Sequence, residues 1–242
     1  MRIIPRLDIK NNFVIKGINL EGIRKVGDPN EMGMKYYQDK ADELIFMDAV
    51  ASYYGRNNLF NIIKECTKDI FIPITVGGGL RSLDDITRAL NSGADKVALN
   101  SAAVLNPKLI SEASKTFGSS TIIISIETKR NKNNDWEIFT ATGREPSGIL
   151  LKDWIKIIQD KGCGEILITS IDKEGTQKGF DLPLLSYIKK LEIRVPIIFC
   201  GGCGSKKDIL NIKKDLSNDA VSLASVLHYK KLKISDIKTE DE

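Results

Sequence analysis

Two carboxylates and two glycine loops carry the chemistry this sequence could perform. Asp8 closes the apolar run Arg2-Ile-Ile-Pro-Arg-Leu-Asp8, and Glu127 closes Thr121-Ile-Ile-Ile-Ser-Ile-Glu127. Paired carboxylates at matching strand ends can divide general acid and general base work. Lys16 opens a long polar stretch after the first run and offers a cation for a phosphate or a developing negative charge. The glycine loops are Ile72-Pro-Ile-Thr-Val-Gly-Gly-Gly-Leu-Arg-Ser82 and Val195-Pro-Ile-Ile-Phe-Cys-Gly-Gly-Cys-Gly-Ser205. In each, glycines let the backbone turn and expose its N–H groups, and a serine then opens an amphipathic segment, a combination suited to phosphate.

These residues need elements to hold them. Apolar runs predict strands near residues 2–8, 44–48, 72–76, 96–99, 121–127, 165–169, 195–199 and 220–223. Amphipathic segments predict helices at 29–40, 57–68, 82–91, 107–117, 149–161, 182–191 and 206–215, with a short apolar turn at 224–228. Residues 16–28 read as an unusually long loop, residues 136–140 as part of a small hairpin, and the polar tail from Ser235 as a frayed end. Alternating strand and helix implies a parallel sheet, and eight such units in 242 residues imply a (β/α)₈ TIM barrel formed as one domain over residues 1–242.

A repeat supports the barrel. The pairs Asp8/Glu127, Glu43/Glu165, Ile72/Val195 and Asp95/Asp219, each within a similar local pattern, recur at offsets of 119 to 124 residues. That predicts two duplicated half-barrels, about 1–118 and 119–242. A two-domain doubly wound protein is the competing architecture.

In such barrels the active site lies at the C-terminal ends of the strands. One rim then carries Gly77 to Gly79 with Asn100 and Ser101, and the opposite rim Gly201 and Gly202 with Ala224 and Ser225. Two anion sites facing each other suit a ligand with a phosphate at each end. Arg2, Glu43, Lys96 and Glu165 begin their strands, about 20 Å below Asp8 at ~3.3 Å per residue. Two cations and two anions there form a salt-bridged ring, which by itself reads as a plug closing the core.

Composition narrows the class. The chain is 42% hydrophobic and 28% charged, with a net charge of +4, too mild and too dispersed for nucleic acid. No apolar run approaches the ~20 residues of a membrane span, and no signal segment precedes the first strand, so a cytoplasmic protein is expected. Cys200 and Cys203 form a C-x-x-C with no second pair and a single histidine, His228, in the chain. Packed thiols are expected there, without metal or cofactor.

The motifs Ile3-Ile-Pro-x-Leu-Asp8, Val14-Ile-Lys-Gly17, Thr75-Val-Gly-Gly-Gly79, Gly93-Ala-Asp-Lys96, Asn100-Ser-Ala-Ala103, Gly143-Arg-Glu-Pro146, Thr169-Ser-Ile-Asp172 and Ala224-Ser-Val226 resemble the cyclase subunit of imidazole glycerol phosphate synthase, the HisF family. The resemblance runs from Arg2 to about Ile237. It implies a lyase and cyclase of histidine biosynthesis that receives ammonia through the barrel from a HisH-type glutaminase docked at the N-terminal face, as a heterodimer. The acceptor would be a ribonucleotide with a phosphate at each end, and the products imidazole glycerol phosphate and an aminoimidazole carboxamide ribonucleotide. Carried over, Asp8 and Glu127 fall in the acid/base places and Lys16 in that of the first-loop lysine. Gly79, Asn100, Ser101, Gly175, Gly201, Gly202, Ala224 and Ser225 fall in the phosphate sites. The ring Arg2, Glu43, Lys96, Glu165 becomes an ammonia gate.

Four positions depart from the family pattern: Glu127 and Glu174 stand where Asp is usual, Arg6 where Cys is usual, and Cys200 where Ser is usual. Alternation points Arg6 into the lumen, where it could pair with Asp8 or Glu127 and crowd the ammonia path. Since every departure lies at the mouth or lumen, an alternative stays open: a HisF-like paralogue delivering ammonia for amidination of a sugar in surface-polysaccharide biosynthesis. A barrel acting only as an ammonia conduit is a third reading, and a related barrel isomerase a fourth.

Overall fold

A computed structural model describes residues 1–49, 59–216 and 219–239. Strands β1 (Arg2–Lys10), β4 (Leu44–Asp48), β5 (Ile74–Gly77), β6 (Lys96–Leu99), β7 (Ile122–Arg130), β10 (Glu165–Ser170), β11 (Ile197–Cys200) and β12 (Ala220–Leu223) pair in that order, all parallel. β12 pairs back onto β1, so the sheet closes into a (β/α)₈ barrel. Helices α1 (Pro29–Gln38), α2 (Leu59–Cys66), α3 (Leu83–Asn91), α4 (Ser101–Leu105), α5 (Lys108–Phe117), α6 (Leu151–Asp160), α7 (Leu182–Ile188), α8 (Lys206–Lys213) and α9 (Ser225–His228) lie between and after the strands. The expected start of the helix at Asn57 lies outside the described residues. Among them no helix is long and apolar enough to cross a membrane.

Alternation along the strands sorts the side chains into two cores. Ile3, Leu7, Phe46, Val97, Ile124 and Val221 point outward and pack with the helices, including fully buried Trp154. Ile4, Ile45, Ala98, Ile123, Leu167, Ile198 and Ala220 point inward and fill the lumen. Following the pairings around the barrel, inward residues stack in layers of four drawn from alternate strands. A shared device fixes strand starts at the N-terminal face. The Asp42, Asp95 and Asp219 carboxylates accept the backbone N–H of Ile3 (2.7 Å), Ile74 (2.8 Å) and Ile197 (2.7 Å) on the neighbouring strand.

Two excursions leave the barrel at its C-terminal face. The stretch expected to be a loop after β1 is a hairpin, β2 (Phe13–Ile18) and β3 (Glu21–Gly27). Asn19 and Leu20 both take positive φ (51° and 65°), the two-residue turn that suits the twist of paired strands. Leucine is a poor residue for that turn, which hid the hairpin from a reading by turn composition. The hairpin anticipated after β7 is present as β7, β8 (Trp136–Thr140) and β9 (Glu145–Leu150).

The C-terminal tail does not fray at Ser235. Residues Ile234–Lys238 form a last helix, α10, that buries Ile234 and Ile237. Asp39, just past α1, accepts the Ile234 N–H (2.6 Å) and the Ser235 hydroxyl (2.6 Å), while Lys238 pairs with Asp42 at 2.6 Å. The capping group comes from nearly 200 residues upstream, so no local pattern announces it.

Candidate active site

The C-terminal ends of the strands enclose a cavity of about 470 Å³. Asp8 and Lys16 line it with Glu127, and so do Gly79, Asn100 and Ser101 from the first glycine side. Gly175, Gly201, Gly202, Ala224 and Ser225 line a second, much smaller depression around Cys200 and Glu174. The structure thus groups the residues expected for the two rims into two neighbouring pockets, with the carboxylate pair in the larger.

The glycines are dictated by close backbone approach. Gly78 has φ +91°, and a Cβ there would lie 2.2 Å from the Asp48 carbonyl oxygen. Gly202, at φ +101°, would place one 2.1 Å from the Gly179 carbonyl. Neither site admits a side chain. After each loop a serine caps a helix: Ser82 accepts from the Asp85 N–H, and Ser205 forms a reciprocal capping box with Asp208. The correspondence extends to the next strand, where Asn100 and Ala224 share an uncommon backbone, φ/ψ −129°/−95° and −131°/−82°.

A buried charge network occupies the floor of the mouth. Arg6, 2% exposed, donates from Nε to Asp8 Oδ1 at 2.8 Å and from Nη1 to Thr169 Oγ1 at 3.2 Å. Lys16, on β2, reaches Asp8 Oδ2 at 3.4 Å and makes a short ion pair with Glu174. Of the two partners open to Arg6, the structure selects Asp8. Glu127 instead accepts from the Asn100 side-chain amide at 3.1 Å and from the Gly143 N–H. The hairpin carrying Lys16 is seated across the mouth, with Asn19 N–H donating to the Glu174 carbonyl at 2.7 Å.

These surroundings separate the two carboxyls. Burial pushes Asp8 up, but Arg6 and then Lys16 outweigh it and hold it at about 2. Burial pushes Glu127 up to about 7; Arg6 opposes this, and Asp8 and Glu174 add to it. Burial, with Lys16 nearby, takes His228 down to about 4, and its Nδ1 lies 2.6 Å from the Tyr36 hydroxyl. Cys200 is raised to about 11, by burial first and then by Glu174, so its thiol stays protonated near neutrality.

At the other end the four expected charges form a closed ring. Arg2 pairs with Glu43 and, at 2.5 Å, with Glu165; Lys96 lies 2.9 Å from Glu43 and 3.1 Å from Glu165. Between ring and mouth, three inward hydroxyls, Thr75 Oγ1, Ser222 Oγ and Ser125 Oγ, have no hydrogen-bond partner. The pairing registers put them in three successive layers of the lumen.

Several contributors escaped the sequence reading. Lys10, Arg81, Thr142 and Arg144 line the large cavity, yet each reads alone as a surface residue. Thr75 and Thr169 stand in motifs of the family resemblance, but only alternation points them, with Ser125 and Ser222, into the lumen.

A closed parallel barrel with a cavity holding Asp8, Lys16 and Glu127 at its C-terminal rim is the architecture of the (β/α)₈-barrel enzymes. The profile of the histidine biosynthesis protein family matches residues 2–233. A Legionella pneumophila protein named imidazole glycerol phosphate synthase subunit HisF is 52% identical over 208 residues, 86% of this chain and 98% of its own. Proteins of the same name from Prochlorococcus marinus (strain MIT 9215) and Lactococcus lactis subsp. cremoris (strain SK11) are 45% and 42% identical, covering 99% of this chain and 94% and 92% of theirs. The chain belongs to the HisF family of histidine biosynthesis proteins.

Proposed function

We propose that this chain is the cyclase subunit of an imidazole glycerol phosphate synthase. Ammonia from a HisH-type glutaminase enters at the N-terminal face, past Arg2, Glu43, Lys96 and Glu165, and reacts in the mouth with the bis-phosphate ribonucleotide. One phosphate is held by Gly79, Asn100 and Ser101, the other by Gly175, Gly201, Gly202, Ala224 and Ser225. Asp8 and Glu127 are the carboxyl pair on which the acid/base chemistry depends, and Lys16 faces the developing negative charge. The two halves descend from one duplicated unit, and the complex works in the cytoplasm.

The observation carrying this reading is a carboxylate pair in the larger of two glycine-lined pockets, in a chain 42–52% identical to proteins named as this synthase subunit. Those names support the histidine-pathway acceptor over a sugar acceptor. The test is turnover of the bis-phosphate ribonucleotide with ammonium salt. Product formation well above an Asp8→Asn control is expected; a wild-type rate no higher than that control overturns the reading.

A further inference from the structure

We propose that Arg6 is a positioning residue that fixes Asp8 as a standing anion and leaves Glu127 as the carboxyl that gives and takes protons in the mouth. This rests on the proposed synthase reaction and assigns its proton traffic.

Both Asp8 oxygens are engaged by cations, Oδ1 by Arg6 at 2.8 Å and Oδ2 by Lys16 at 3.4 Å. Taking a proton would mean breaking a buried ion pair. Glu127 is held by neutral donors, the Asn100 amide and the Gly143 N–H. It can change protonation while every ion pair stays intact. Arg6 cannot follow a moving proton, because its Nη1 is anchored to Thr169 on another wall of the barrel.

The groups facing this centre come from several elements. Arg6, Lys16 and His228 face Asp8; Arg6, Asp8 and Glu174 face Glu127; Asp8, Glu127, Glu174 and Cys200 face Arg6. The fixed charges cancel, two cations (Arg6, Lys16) against two paired carboxylates (Asp8, Glu174). The buried floor made by these groups is therefore neutral when Glu127 holds its proton. That is the form in which a low-dielectric floor tolerates it best. In the reaction ammonia first condenses with the acceptor's keto carbon, the carbonyl oxygen leaving as water with two of the nitrogen's hydrogens. In the ring closure that follows, this nitrogen gives up a proton as its second bond forms, and the departing nitrogen receives one as its bond breaks. Glu127 can deliver the second and be restored by the first, ending as it began, while Asp8 stays ionised throughout.

The experiment has two arms. The first follows the Asp8 and Glu127 carboxyls by carbon NMR titration in wild type, Arg6→Gln, Arg6→Cys and Arg6→Lys, with no substrate present. The second follows ammonium-driven turnover against pH, corrected for free ammonia. In wild type, one inflection near 7 is expected from Glu127. In whichever neutral variant folds, Asp8 should titrate at least about one pH unit higher and add an inflection on the acid side. Arg6→Lys should keep the wild-type shape, and Glu127→Gln should lose about 100-fold or more. An Asp8 titration unmoved by loss of the guanidinium overturns the inference, as does a Glu127→Gln variant with near wild-type turnover. If wild type makes no product, the synthase reading fails, and the titration still decides the role of Arg6.

Discussion

Arg6 and Thr169 stand on β1 and β10, three strands apart around a ring of eight, and a 3.2 Å hydrogen bond joins them across the lumen. The same guanidinium grips Asp8 on its own strand. Removing one partner of such a pair leaves the other charge buried and poorly compensated. Arg6→Met and Asp8→Asn are each expected to cost about 3 kcal/mol. The double variant should lose less than their sum, with a coupling of about 1–3 kcal/mol in urea unfolding. Additive losses would show that the pair is not an energetic unit.

Glu127 makes stability depend on pH in a definite direction. Burial raises its folded value to about 7 from an ordinary 4.5. A carboxyl raised on folding contributes stability that is full below about 4.5 and lost as pH climbs through 7. Glu127→Gln removes that loss. Relative to wild type, the variant should gain stability as pH rises from 4.5 to 7, read as a Tm difference that widens over that range and levels off above it. A Tm difference constant across that range contradicts a raised Glu127.

Gly175 bears on the hairpin. It has φ +72°, and a Cβ there would fall 2.2 Å from the Gly17 carbonyl. Gly175→Ala should therefore lift the hairpin, withdraw Lys16 from Asp8 and Glu174, and speed proteolysis within residues 17–25. Turnover should fall about 10-fold or more if Lys16 positions charge in the mouth. Gly22, on the same hairpin at φ +64° with nothing within 4 Å, gives the control. Gly22→Asn, which tolerates that backbone, should change neither readout.

The unpartnered lumen hydroxyls offer a stability and activity pair. A buried hydroxyl without a partner costs about 1–3 kcal/mol. Thr75→Val and Ser125→Ala should each raise stability in urea by about 1 kcal/mol. If the lumen conducts ammonia, glutamine-driven turnover of the assembled synthase should fall in these variants while ammonium-driven turnover holds. Loss of both rates together would place the hydroxyls outside the path.

Asp39→Ala removes the acceptor shared by Ile234 and Ser235. The last helix should loosen, with a loss of about 1 kcal/mol and faster amide exchange at Ile237. Unchanged exchange would mean that burial of Ile234 and Ile237 alone holds it.

Much of this molecule was legible in its residues. Alternation placed Arg2, Ile4, Arg6 and Asp8 on one face, and the barrel confirms that face as the lumen. What stayed hidden depends on which strands meet across the lumen. The choice of Arg6 for Asp8, its anchor on Thr169 and the Asn100–Glu127 bond all depend on barrel closure and stagger, which a linear pattern does not encode. The helix at the tail was missed for a related reason: its cap lies at Asp39, where a local reading sees only an acidic residue ending a helix. The hairpin after β1 was missed because Leu20 occupies a turn position normally given to Asn or Gly.

The closed ring below and the apolar layers above it have a further consequence. The lumen is lined by isoleucine, leucine and alanine with three lone hydroxyls, and among the described residues no fixed charge lies between the ring and Arg6. Carrying an ion through such a medium costs several kcal/mol, whereas a small neutral molecule that can exchange one hydrogen bond for another crosses at far lower cost. Under the proposed reaction, such an interior filters by protonation state: nitrogen leaves its extra proton at the ring and reaches the mouth as ammonia, already the nucleophile the chemistry needs.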